Sequence, residues 1–278
     1  MAGEPILFDA GGTALSGELS GEGAPVVLLH GLTATRRYVV MGSQSLQRSH
    51  HRVLAYDARG HGASAPAADG DYGYGRLAAD LAAALDAAGF ERAVLAGASM
   101  GAHTAARLAI ENPERVAALV LVTPSFDPGC SRSQHELARW DALARGLRDG
   151  GVEGFVEAYD LDGVSAALRP TVETVLRQRL SAHEHPLAVA DALEAVPRSA
   201  PFEDPGELAA LNVPALVVGS RDEADPGHPF AVAERWASWV PGARFAVEDE
   251  GPPTRSPLAW QGGRLSRLIA ETAADART

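Results

Sequence analysis

Short runs of almost wholly apolar residues recur at 26–30, 53–57, 93–97 and 116–122, the first of them bounded by Pro25 and Gly31. A strand with one wet face alternates apolar and polar residues, whereas a strand covered on both faces has no such need. Runs this short and this apolar therefore fit buried strands of a parallel sheet. Between the second and third runs, Leu77, Leu81 and Leu85 recur at four-residue spacing across 74–88, the apolar stripe of a helix that stops at Gly89. Strand and helix in alternation imply an α/β architecture with right-handed crossovers.

The rhythm breaks at Pro124. The segments 135–147, 152–159, 171–181 and 187–196 read as helices with no convincing strand among them. Strands return at 215–218 and 244–247, with helices at 231–239 and 258–272. The simplest organisation is one α/β core in two parts, 1–124 and 202–278, interrupted by a helical lid at 125–201. A chain of 278 residues is long enough to bury a large single core.

Composition removes several chemistries. All 24 basic side chains are Arg, so neither a Schiff-base lysine nor a phosphate-binding loop with its lysine is available. With 36 acidic residues the formal charge is −12, which repels phosphate backbones and argues against a nucleic-acid partner. The single cysteine, Cys130, rules out internal disulfides and multi-cysteine metal sites. No Gly-rich dinucleotide fingerprint follows the first strand, so no cofactor and no metal are expected. The first ten residues carry no basic region ahead of an apolar run, and no apolar stretch approaches the ~20 residues of a membrane helix. The expectation is a soluble, cytoplasmic protein with a small-molecule substrate and no membrane partner.

The third apolar run ends in Gly97-Ala98-Ser99-Met100-Gly101 and passes at once into a helical stretch at 103–110. A serine on so sharp a turn needs small neighbours two residues to either side, and the turn lifts its hydroxyl above the sheet. His30-Gly31-Leu32 follows the first run, and Asp57-Ala58-Arg59-Gly60-His61-Gly62-Ala63-Ser64 follows the second. Gly219-Ser220-Arg221-Asp222-Glu223-Ala224-Asp225-Pro226 follows the strand at 215–218. With these four motifs in this order the chain resembles the α/β-hydrolase superfamily over most of its length. The resemblance implies a mostly parallel sheet flanked by helices with an inserted helical lid. It implies Ser99 as nucleophile, the backbone N–H groups of Leu32 and Met100 as oxyanion hole, and Asp222 as the acid that orients a base. Asp225 is a rival for that acid; the spacing from Gly219 favours Asp222.

The chain departs from the family at the base. The family's histidine follows the last core strand, but here 248–256 contains none and no histidine occurs after His228; the matching position falls near Gly251-Pro252. A serine hydroxyl needs an adjacent base to become a useful nucleophile. His228, six residues past Asp222, is one candidate; His103, His30 and His61 are others, each also readable as a packing or loop-buttressing histidine. The acidic run Glu248-Asp249-Glu250 offers a carboxylate or simply a solvated turn. His183 and His185 lack a third ligand nearby and read as a solvated lid loop. Arg36 and Arg37 follow the oxyanion loop and are expected either to meet an anionic substrate group at the mouth or to lie in a solvated loop, and Trp140 fits either a pocket wall or the core. Without lysine, a Ser–Lys dyad is also impossible. The leading expectation is a serine hydrolase of small esters, lactones or related acyl compounds, acting through Ser99 with an incomplete or atypical triad. The alternatives are a non-hydrolytic lyase, isomerase or cyclase, and a catalytically silent small-molecule binder.

Overall fold

The computed structural model describes residues 3–221, 225–249 and 256–276. Among them eight strands form one sheet: β1 (Glu4–Asp9), β2 (Ala14–Ser20), β3 (Ala24–Leu29), β4 (His51–Tyr56), β5 (Ala93–Ala98), β6 (Val116–Val122), β7 (Ala215–Val218) and β8 (Arg244–Ala246). Their order is β1-β2-β4-β3-β5-β6-β7-β8. β2 runs antiparallel to both β1 and β4, and every other pairing is parallel.

The helices are α1 (Ser45–Arg48), α2 (Tyr74–Ala87), α3 (Met100–Glu111), α4 (Gln134–Ala158), α5 (Arg169–Leu180), α6 (Pro186–Ala195), α7 (Pro205–Ala209), α8 (Phe230–Trp239) and α9 (Gly262–Asp275). Successive residues of a strand point to opposite faces, and here both faces are covered. Val27, Leu29, Leu95 and Leu119 pack with Leu81 and Leu85 of α2, Ala105 of α3 and Trp236 of α8. Their neighbours Val26, Leu28, Val94 and Val120 pack on the other side with Leu46 of α1 and Leu265 and Ile269 of α9. This is why the central strands read as unbroken apolar runs.

The antiparallel hairpin β1–β2 escapes the sequence reading. Its burial alternates, most of β1 faces solvent, and Leu7 is exposed. The helices expected at 135–147 and 152–159 meet within α4, which breaks between them at Gly151, whose φ of 61° and ψ of −143° are not helical. Helices α4, α5 and α6 lie between β6 and β7 in the chain. Leu143, Phe155, Leu176 and Leu193 from them share a cluster with Leu32, Tyr74, Leu77 and Met100 of the core. The helical segment thus packs against the loops at the strands' C-terminal ends, where Ser99 also lies.

One buried ion pair locks this region. The Arg59 guanidinium donates to both Asp80 carboxylate oxygens, at 2.7 and 2.6 Å, and to the Asp71 carbonyl at 2.9 Å. It ties the turn after β4 to α2, and both side chains are essentially inaccessible. Removing Asp80 leaves the buried Arg59 charge with only the partly exposed Asp69 carboxylate, at 3.1 Å, and breaking a buried pair typically costs about 3–5 kcal/mol. Asp80→Ala is therefore expected to lower the thermal unfolding midpoint by roughly 10 °C. A calorimetric shift of only a degree or two would show that the pair does not hold the turn.

Candidate active site

Ser99 sits between β5 and α3 with φ 51° and ψ −115°, a backbone conformation that side chains other than glycine rarely adopt. Its surroundings enforce that angle. A Cβ on Gly97 would collide with the Gly101 carbonyl group, and one on Gly101 with the Leu29 carbonyl oxygen. β5 and α3 therefore approach as closely as the turn requires only because both positions lack side chains. Gly31 lies against Ser99 from the other side, where an added Cβ would come to 3.4 Å of the Ser99 Cβ.

A cavity of about 100 Å³ opens beside Ser99. Leu32, Met100, Tyr74 and His103 line it from the core, and Trp140 from α4, so Trp140 is a cavity wall that also packs against the helical cluster. Neither the Leu32 nor the Met100 backbone N–H has an acceptor among the described residues. The Leu32 carbonyl accepts from Arg179 Nη2 at 2.9 Å, and the same nitrogen reaches Thr33 Oγ1 at 3.0 Å. Arg179 belongs to α5, so the helical segment fixes the orientation of the Leu32 peptide. Burial lowers the Arg179 guanidinium from its usual range, against the opposing charge of Asp225.

The sequence-nominated acids fare differently. Asp222 lies outside the described residues. Asp225 accepts from His228 Nδ1 at 2.8 Å, and both side chains are partly buried. Burial would push the Asp225 carboxyl up, but the His228 imidazole beside it, with Arg179 further off, holds it below the usual carboxylate range. Gly227, adjacent in the chain to His228, lines the same cavity as Ser99. With Nδ1 committed to a carboxylate, the His228 ring leaves Nε2 for a second partner, the arrangement a general base requires.

Three of the other histidines, His30, His61 and His183, are bonded to the backbone through at least one ring nitrogen. His30 Nδ1 donates to the Gly31 carbonyl at 2.8 Å, and its Nε2 accepts from Ala58 N–H at 2.9 Å. Burial lowers its pKa to about 3. His61 Nδ1 donates to the Arg59 carbonyl at 2.9 Å. His183 is not in a solvated loop: its Nδ1 accepts from Gly62 N–H at 2.8 Å and its Nε2 donates to the Thr33 carbonyl at 3.0 Å, stitching the helical segment to two core loops. His185 is exposed, and no metal-holding cluster occurs among the described residues.

Two expectations about charged groups are corrected. Glu248 is neither a base nor part of a solvated turn. It is buried, and its two carboxylate oxygens accept from the Arg221 N–H at 2.6 Å and the Leu258 N–H at 3.2 Å, joining two loops. Arg36 is paired with Asp57 through both its side chain and its backbone N–H, which removes it as a free anion receptor. The position near Gly251-Pro252 lies outside the described residues. No helix among the described residues is long and apolar enough to cross a membrane.

A family model described as the alpha/beta hydrolase fold matches residues 24–177. Among curated relatives, a proposed carbamate hydrolase, RutD, of Variovorax paradoxus is 30% identical over 221 residues, covering 79% of each chain. Among solved structures, a thermophilic esterase of Thermogutta terrifontis superposes with a TM-score of 0.78 at 26% identity, over 99% of this chain and 100% of that one. The enol-lactonase of Burkholderia xenovorans shares the fold, with a TM-score of 0.73 at 23% identity over 98% and 99% of the two chains.

Proposed function

This chain belongs to the α/β-hydrolase fold family and is a hydrolase like its relatives, and on that premise we propose that it cleaves small esters, lactones or related acyl compounds through Ser99. The observation that carries the proposal is the Asp225–His228 pair, an imidazole that a carboxylate orients and whose chain neighbour Gly227 lines the Ser99 cavity. In this reading His228 Nε2 takes the Ser99 proton as the hydroxyl attacks the acyl carbon. The tetrahedral oxyanion is met by the Leu32 and Met100 N–H groups, and His228 returns the proton to the leaving group. Water then releases the acyl group by the same steps. Asp225 rather than Asp222 orients the ring. The histidine expected after the last strand is thereby replaced by one that precedes α8.

The cavity volume supports a small acyl group. Helices α4 to α6 act as the lid, since Arg179 and His183 grip the loop that carries Leu32. The acidic surface supports a small-molecule substrate rather than nucleic acid, and the free Cys130 is consistent with a cytoplasmic setting.

A fluorophosphonate probe tests the central claim. Stoichiometric labelling of the folded protein is expected, with complete loss in Ser99→Ala. Folded protein that takes no label would sink the reading, because an activated serine beside an oxyanion hole reacts with such probes.

A further inference from the structure

The one buried histidine of α3 leaves a proton without an acceptor. His103 Nε2 lies 3.0 Å from the Ser125 N–H and 3.2 Å from the Phe126 N–H. Backbone amides only donate, so Nε2 must be an unprotonated acceptor. The ring proton is then on Nδ1, 2.8 Å from the Tyr74 hydroxyl. Burial keeps the imidazole neutral by lowering its pKa to about 3, and burial also raises the Tyr74 phenol, so neither group ionises at neutral pH. The Tyr74 oxygen consequently accepts from His103 and must send its own proton elsewhere. Among the described residues no acceptor for it exists. Tyr74 is buried and lines the cavity beside Ser99, Leu32 and Met100. Arg132, also on that wall, is committed to Glu203 at 2.8 Å.

We propose that the Tyr74 hydroxyl, its proton turned into the cavity by His103, recognises an acceptor oxygen on the substrate's acyl group, so that ether-, keto- or hydroxy-substituted acyl groups are preferred over hydrocarbon ones. The acyl group is the part that stays bonded to Ser99 through the reaction, and the space walled by Ser99 and the oxyanion-loop residues is its room. A hydrocarbon acyl group would leave a buried donor unpaired, which sites of this kind penalise strongly. The term "acyl" rests on the hydrolase reading above; the donor itself does not.

The methoxyacetyl and butyryl groups have the same shape and differ by one ether oxygen. Calorimetric titration of the Ser99→Ala protein with their p-nitrophenyl esters separates recognition from chemistry. The methoxyacetyl ester is expected to bind about tenfold more tightly, the yield of roughly one net hydrogen bond. Adding Tyr74→Phe is expected to bring the two dissociation constants within about twofold. Selectivity that survives Tyr74→Phe overturns the proposal, and so does failure of both esters to bind. Selective binding without any turnover by the Ser99 enzyme would support the Tyr74 contact and overturn the hydrolase reading instead. Should Tyr74→Phe not fold, nitrogen-15 spectra of the unmodified protein decide: Nδ1–H on His103 from pH 5 to 9 is expected, and an Nε2–H tautomer overturns the proposal.

Discussion

Replacing His228 by Ala is expected to lower kcat by at least about 10³-fold on p-nitrophenyl butyrate, with KM changed by less than about threefold. The magnitude follows from the base's role: the serine hydroxyl is a poor nucleophile at its free pKa, and loss of the imidazole leaves only the oxyanion hole and binding to accelerate the reaction. The KM expectation follows because the imidazole acts on the proton in transit and not on the bound acyl group. Asp225→Asn is expected to cost less than loss of the ring but still about 10²-fold or more, because the amide no longer supports the imidazolium or fixes its tautomer. Asp222→Asn should change kcat by less than about fivefold, since the His228 Nδ1 position is already taken by Asp225 at 2.8 Å. If His228→Ala keeps activity within tenfold of the parent while Ser99→Ala abolishes it, the base is another group and the assignment of His228 fails.

What the sequence discloses here depends on the range of the interaction. The central strands are legible because Val26 to Leu29 are buried on both faces, so burial alone dictates their composition. The elbow is legible because its constraint is steric and local: Gly97 and Gly101 flank Ser99 in the chain as they do in space. The hairpin β1–β2 is hidden because an exposed edge tolerates many residues. The acid proposed to orient the base is only half legible. Spacing from Gly219 says where the acid turn begins, but which carboxylate meets an imidazole depends on the turn at Asp225 to His228, whose contact spans three residues. The roles of Glu248 and His183 are invisible in the sequence for a different reason. Glu248 reaches back 27 residues to Arg221, and His183 reaches back 150 residues to Thr33. No local pattern records such partners.

Acid should unfold this protein well before its carboxylates are all protonated. His30 and His103 are buried and have pKa values of about 3, chiefly through burial. The charges of His183, Arg179 and Arg36 lower His30 further, although its bond to the Gly31 carbonyl opposes them; His228 does the same to His103. In the unfolded chain each returns to about 6.5. Above that pH neither state holds the proton and stability is flat. Between 6.5 and 3 the unfolded chain binds two protons that the native protein refuses, so stability is lost as the pH falls. The expected loss is about 6 kcal/mol between pH 6.5 and pH 4, comparable to the whole stability of a typical domain. His61 and His183, also lowered by burial, act in the same direction. The cost has a structural origin: the nitrogen that must be protonated already accepts from the Ala58 N–H in His30, from the Ser125 and Phe126 N–H groups in His103, and from the Gly62 N–H in His183. Protonation therefore opposes bonds that hold the loops around Ser99, and activity and fold should fail together. Urea unfolding followed from pH 7.5 to 4.5 checks this. The midpoint should be constant above pH 7 and fall steeply below 6, and His30→Gln should reduce the slope by about 1.4 kcal/mol per pH unit. A midpoint unchanged down to pH 4.5 would mean that these imidazoles titrate normally, and with that the fixed tautomers of His30 and His103 would fall as well.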